Sequence, residues 1–155
     1  MTLSASALNP SLFPQWLERS AAEYAADLVT LGNTPEHARE QARRSIYDSF
    51  PTGQPTADNA VFDLVADSVV VGYVWVGRDT SDDPTSWWVW DLLIEAEHRG
   101  KGYGKQGMRL AEDYAKSQGA ATLGLSVFGF NHSAHSLYES LGYETTSIKM
   151  RKTLA

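Results

Sequence analysis

There is no cysteine in this chain. That removes disulfide staples, thiolate metal sites and a cysteine nucleophile together, and it fits a cytoplasmic protein. Positive charge is short as well: 13 Lys and Arg stand against 19 Asp and Glu, for a net charge of -6 and a pI near 5.1. A broad phosphate-neutralising surface is thereby excluded, and no nucleic-acid partner is expected. No run of about eighteen apolar residues occurs, and the first residues have no basic stretch leading into an apolar one. Neither a membrane partner nor a secretory leader is expected.

What is present describes one core. With 155 residues, 43% of them hydrophobic, the chain suits one domain over 1–155 and is too short for two ordinary ones. A weak strand is allowed within residues 2–6. The apolar residues Leu12, Trp16, Leu17, Tyr24, Leu28 and Leu31 recur at helical spacing up to Gly32. Thr34 can cap a second helix with Pro35 in its first turn, and its stripe runs through Ala38, Ala42, Ile46 or Tyr47, and Phe50. Residues 61–66 and 69–76 then form a hairpin around Asp67-Ser68, and a third strand covers 87–94. A helix from about Tyr103 to Gly119 and a strand carrying Leu123, Leu125 and Val127 imply a parallel crossover. A short helix presents Ala134, Leu137, Tyr138 and Leu141. The tail, 143–154, reads as a last strand, with Ile148 and Met150 alternating against Lys149 and Arg151. The expected order is β-α-α-β-β-β-α-β-α-β.

Between the third strand and the following helix lies Arg99-Gly100-Lys101-Gly102-Tyr103-Gly104. Glycines there let the backbone take positive φ and bring successive N–H groups onto one anion, beside the positive end of the helix. His98, Arg99, Lys101, Lys105 and Arg109 make a basic island in an acidic chain, which suits a small polyanion such as a pyrophosphate. The alternatives are an ordinary glycine-rich turn and a solvated charged face. The spacing matches neither Gly-x-x-x-x-Gly-Lys-Ser/Thr nor Gly-x-Gly-x-x-Gly, so a nucleotide hydrolase and a dinucleotide dehydrogenase are disfavoured.

Further on, Asn131 and Tyr138 are seven residues apart, which on a helix places them on nearly one face, about 10 Å apart along the axis. They can line one groove. Equally, Asn131 can be a helix cap and Tyr138 a member of the core stripe. Asp91 lies on the third strand, with Trp90 and Leu92 expected on the opposite face, and apolar neighbours of that kind raise a carboxyl pKa. His132 and His135, at i and i+3, lack a third metal ligand, and no metal is expected. At least one of Trp87 and Trp88 should face away from the core and border a cleft.

In this order, Asp91-Leu92-Leu93-Ile94, the 99–104 loop, Asn131-x-x-Ala134-x-x-Leu137-Tyr138-Glu139-x-x-Gly142-Tyr143 and Ile148-Lys149-Met150 resemble the GNAT acetyltransferase superfamily. The resemblance implies a mixed, centrally splayed α/β sheet and transfer of an acetyl group from acetyl-CoA to an amine of a small molecule or peptide. It implies that the backbone of Leu92, Leu93 and Ile94 pairs with the pantetheine arm. Arg99, Gly100, Lys101, Gly102, Tyr103, Gly104 and Lys105 would surround the pyrophosphate. Asn131 would hold the cosubstrate, and Tyr138 would stand near the thioester sulfur as general acid. For the base, Asp91 and Glu95 are candidates. Ser126 stands where some protein-acetylating relatives carry a glutamate, which speaks against an N-terminal protein acceptor. Family members are often dimers. The rival expectations are a catalytically idle acyl-CoA-binding module and a partner-binding α/β domain whose glycine loop is only a turn.

Overall fold

A cap fixes each of two helix starts in the amino-terminal half. A computed structural model describes residues 2–154. In it β1 (Ser4–Ala7) leads through a single 3-10 turn into α1 (Phe13–Thr30) and α2 (Pro35–Ser49). The Asn9 side chain accepts from Ser11 N–H ahead of that turn, and Thr34 Oγ1 accepts from His37 N–H at 3.3 Å to start α2. The strands β2 (Asn59–Ala66), β3 (Val69–Arg78) and β4 (Ser86–Ile94) follow, then α3 (Tyr103–Ser117), β5 (Thr122–Leu125) and α4 (His132–Ser140).

The sheet runs β1-β2-β3-β4-β5, with the first three pairings antiparallel and β4–β5 parallel across the α3 crossover. Asp67 and Ser68 both take positive φ, 49° and 65°, in the two-residue turn between β2 and β3, whose twist matches that of the strands. One sheet face packs Leu64, Val74, Val76, Trp87 and Val89 against Met108, Ala111 and Ala115 of α3. The other packs Val61, Tyr73 and Trp75 against Phe13, Trp16, Leu17, Ile46 and Phe50. Ring centroids there lie 5.0 Å apart for Phe13–Phe50 and 5.6 Å for Trp16–Trp75, edge-on in both pairs. Of the two residues that could continue the α2 stripe, Ile46 is buried and Tyr47 is 39% exposed.

The mixed α/β architecture matches the expected one for nine elements and departs at the tenth. Residues 144–154 form no strand, and Ile148, Met150 and Leu154 are 75%, 91% and 87% exposed. Alternation marks a segment as two-faced but does not supply its neighbour, and a strand without a partner has no ladder. Val127 likewise lies beyond β5, which stops at Leu125.

Candidate active site

A single extra residue in β4 decides which way the central carboxylate points. Trp75 pairs with Asp91 and Val76 with Val89, so Trp90 is a β-bulge between them. Val89 therefore packs with α3, while Trp90 stays with Asp91 on the α1 face, packed against the Tyr73 and Trp75 cluster. This corrects the simple alternation that set Trp90 opposite Asp91. Leu92 and Ile94 return to the α3 face.

On the α1 face the Tyr73 hydroxyl lies 2.7 Å from Asp91 Oδ2 and 2.7 Å from Glu23 Oε2. A phenol has one hydrogen, so it serves one of these carboxylates at a time. Burial, reinforced by the charges of Glu23 and Asp27, pushes the Asp91 pKa up to about 6 even against the Tyr73 hydrogen bond. Burial also raises Asp27, with the Glu23 charge adding to it. Glu23 Oε1 accepts from Arg19 Nε at 2.9 Å, and the same guanidinium binds Glu95, whose N–H donates to Val71 O. Glu95, the other candidate base, is committed to that ion pair.

The β4–β5 pairing ends at Val89–Leu125, although β4 continues to Ile94. Beyond that point the strands part, and the edge of β4 turned away from β3 is left without a strand at Leu92 and Leu93. Just past β4, the Ile94 carbonyl accepts from Arg99 Nε at 2.8 Å, which pins the start of the glycine loop. Gly100 and Gly102 take φ of 77° and 80°, and an added Cβ at either would meet nothing within 4 Å. Backbone conformation, not crowding, requires glycine there. Gly102 is the N-cap of α3 and supplies no side-chain cap, while Gln106 N–H is the donor to Gly102 O. The first-turn N–H groups of Tyr103, Gly104 and Lys105 thus have no intrahelical acceptor, an arrangement that suits an anion. Among the described residues, Arg99, Lys101, Lys105 and Arg109 make no ion pair. Buried Tyr103 anchors the turn in the core. An open strand edge leading to an uncapped helix start fits an amide-bearing arm that ends in a pyrophosphate.

The α4 helix closes the groove. An added Cβ on Gly104 would lie 3.1 Å from Leu137 Cδ2, so the start of α3 and α4 are in close contact here. Asn131 is the N-cap of α4, its Oδ1 accepting from Ala134 N–H at 3.2 Å; its amide nitrogen has no partner among the described residues. Tyr138 packs with the α3-side core, its ring 6.2 Å from that of Tyr143, and its hydroxyl has no hydrogen-bond partner among the described residues. Burial raises its pKa, and the Asp91 charge raises it further. The two side chains belong to opposite faces of the sheet and sense each other where the strands splay.

The profile of the Acetyltransferase (GNAT) family matches residues 16–143. The chain belongs to the GNAT acetyltransferase family. This GNAT chain is 28% identical over 156 residues to the uncharacterized N-acetyltransferase YycN of Bacillus subtilis (strain 168), covering 99% of this chain and 100% of YycN. The crystal structure of YycN superposes with a TM-score of 0.89, covering 99% of both chains. Over a shorter stretch, 88 residues, this GNAT chain is 33% identical to streptothricin acetyltransferase of Streptomyces lavendulae, covering 56% of this chain and 46% of that enzyme. The aminoglycoside N-acetyltransferase AAC(6')-Iy, solved in complex with CoA, shares the fold at a TM-score of 0.60 and 13% identity, covering 98% and 94% of the two chains.

Several residues beside this candidate site lie outside the motif. Glu23, Tyr24 and Asp27 sit on α1, and Tyr24 meets Phe128 of the β5–α4 loop at 6.5 Å, with Phe130 stacked on Phe128 at 5.4 Å. The spacing of Glu23 and Asp27, i and i+4 on the helix, was the available signal, but nothing in sequence ties it to β4. Of the tryptophans, Trp87 is buried under α3, whereas Trp88 is half-buried and lies 6.1 Å from Trp90. His135 Nε2 pairs with Glu139 at 3.0 Å, and no cluster of three potential metal ligands exists among the described residues. No described helix is long and apolar enough to cross a membrane.

Proposed function

We propose that the chain is an acetyl-CoA-dependent N-acetyltransferase acting on a cationic amine by direct transfer, with Asp91 as base and Tyr138 as acid. The observation that carries this reading is the gap at Val89–Leu125, which leaves the Leu92–Leu93 edge open beside the uncapped start of α3. Acetyl-CoA supplies an acetyl group activated as a thioester. The backbone of Leu92, Leu93 and Ile94 would hold its arm as an added strand. The 99–105 segment would hold the pyrophosphate, and the free amide of Asn131 would orient the arm from α4.

Asp91 takes the proton of the incoming ammonium, so that its nitrogen can form the new C–N bond. Its raised pKa makes it a stronger base than an ordinary carboxylate while leaving it largely ionised near neutral pH. Tyr73 gives that proton a hydrogen-bonded route to the half-buried Glu23. Tyr138 gives its hydroxyl proton to the sulfur as the C–S bond breaks, and the uncommitted hydroxyl with a raised pKa keeps that proton in hand.

The acceptor side favours positive charge and a flat or apolar body. Glu23, Asp27 and Asp91 supply negative charge, and Tyr24, Phe128 and Phe130 supply aromatic faces. The names of streptothricin acetyltransferase and of the aminoglycoside N-acetyltransferase support the same class of acceptor. The test is a panel of amines with acetyl-CoA, read by thiol release. Acetyl transfer to cationic amines is expected; CoA binding with no transfer to any of them would favour the idle binding module.

A further inference from the structure

The carboxylate on β4 is joined to α1 by a chain of polar groups that ends on one cation. Tyr73 holds its hydroxyl between Asp91 Oδ2 and Glu23 Oε2, and Arg19 Nε donates to the other oxygen of Glu23 at 2.9 Å. The same guanidinium donates through Nη2 to Glu95 and lies over the Tyr73 ring, with Cζ 5.6 Å from the centroid. Arg19 thus touches the outer carboxylate, the phenol and the residue that follows β4. Among the described residues no other cation pairs with Glu23, Asp27, Asp91 or Glu95.

The remaining groups that face Asp91 are acidic or neutral. From α1 come Glu23 and Asp27, from β3 Tyr73, and from α4 the Tyr138 phenol, which feels the Asp91 charge. Asp63 of β2 pairs with Tyr73 and so shares its sheet face, and Glu95 stands just past β4. Burial and the Asp91 charge raise the pKa of Tyr73, which therefore keeps its hydrogen and passes protons only by exchange. Two carboxylates compete for that one hydrogen, and the one already bound by a guanidinium is the weaker competitor.

We propose that Arg19 is a positioning residue for Asp91: by holding Glu23 as an ion pair it leaves the Tyr73 hydrogen to Asp91 while that carboxylate is ionised. Once Asp91 has taken a proton, its own O–H donates to the Tyr73 oxygen and the phenol hydrogen turns to Glu23. One proton then leaves Asp91 as one arrives on Glu23, and only O–H bonds are broken and formed. Glu23, whose side chain is 34% exposed, gives it up to water, because the guanidinium favours its ionised form. Without Arg19, Glu23 draws the phenol hydrogen away and its charge stands uncompensated beside Asp91, so Asp91 holds its proton more tightly. The role in turnover rests on the reading of Asp91 as base; the coupling between the two side chains does not.

Carbon-13 NMR of the aspartate carboxyls in the full chain, with Asp91→Asn for assignment, reads that coupling without acetyl transfer. Arg19→Gln should move the Asp91 midpoint up from about 6 by about half a pH unit or more, and Glu23→Gln should move it down by a similar amount. Arg19→Lys, which keeps the charge, should return the midpoint most of the way to wild type. Loosened packing would move both glutamine variants alike. A midpoint that Arg19→Gln leaves in place, or that both glutamine variants move in the same direction, overturns the proposal. The acid limb of kcat/KM should follow the same two shifts. If the carboxyl titration shifts as stated and the limb does not, the coupling through Arg19 stands and Asp91 is not the base.

Discussion

The Tyr73 hydroxyl stands 2.7 Å from Asp91 Oδ2, on the one stretch of β4 where a bulge breaks the strand's alternation. Were Trp90 a regularly paired residue rather than a bulge, the alternation set by Trp87 and Val89 would carry Asp91 to the α3 face, away from Tyr73 and Glu23. Bulge and hydroxyl together hold the carboxylate proposed as the base in a buried, hydrogen-bonded setting.

The pH dependence of this base follows from its environment. Asp91 has a folded pKa of about 6, so kcat/KM should rise with pH through about 6 as it ionises. Stability should run the other way. Because the folded state holds this proton more tightly than the unfolded chain, that contribution favours the fold at low pH and is lost as pH rises from about 4 to 6. Asp91→Asn should remove the rising limb and lower turnover about 10²- to 10⁴-fold. A pH–rate profile and melting curves between pH 4 and 8 check both; a limb that survives the substitution assigns it elsewhere.

Tyr138→Phe removes a hydroxyl that holds no partner among the described residues. Turnover should fall by about 10²-fold or more while CoA affinity stays within a factor of about two, since proton transfer, not binding, is lost. Steady-state kinetics and calorimetric titration separate the two quantities, and unchanged turnover would remove Tyr138 from the acid role.

Gly102→Ala forces a Cβ onto a residue with φ of 80° in open space. The strain should cost about 1 kcal/mol in stability and weaken CoA binding as the cradle relaxes. Gly119→Ala, with φ of 90° and equally open surroundings at the end of α3, is the control. It should lose similar stability and keep its affinity. Equal losses of affinity in both would show that the loop is not the ligand's seat.

Thermal denaturation offers the least demanding check. At a CoA concentration about a hundred times its dissociation constant, wild type should gain about 2.7 kcal/mol of stability. Lys101→Glu/Lys105→Glu should reduce that gain and make it less sensitive to salt, because two exposed cations are lost from the anion site. A wild type whose melting temperature ignores CoA would promote the reading of the loop as a turn.

Phe13 tests the α1 face of the core, where it is fully buried against Trp16 and Phe50. Phe13→Ala should cost about 3–5 kcal/mol. Chemical denaturation measures it, and a loss below about 1 kcal/mol would mean that α1 is not held to the sheet by this cluster.

Local chemistry explains why so much of this molecule can be read from its letters. Thr34-Pro35 starts a helix, Asp67-Ser68 turns a hairpin, and Gly100 and Gly102 lead with positive φ into an amphipathic helix, each within a few residues of chain. The same letters single out Asp91, Asn131 and Tyr138 as candidate site residues. They leave open whether Asn131 caps a helix or holds a ligand, and the fold makes it the α4 cap with an amide to spare. Other features are set by partners distant in sequence. The bulge at Trp90 depends on pairing with β3, the Glu23–Tyr73–Asp91 chain joins three elements, and the splay depends on β5 stopping at Leu125. The alternation in the tail was legible too, but alternation cannot name a strand's neighbour. Sequence alone determined nine of the ten expected helices and strands, because hydrophobic period and turn chemistry act locally. Only the tertiary structure decided where Asp91 points and that residues 144–154 form no strand, because both depend on hydrogen bonds between elements that meet only after folding.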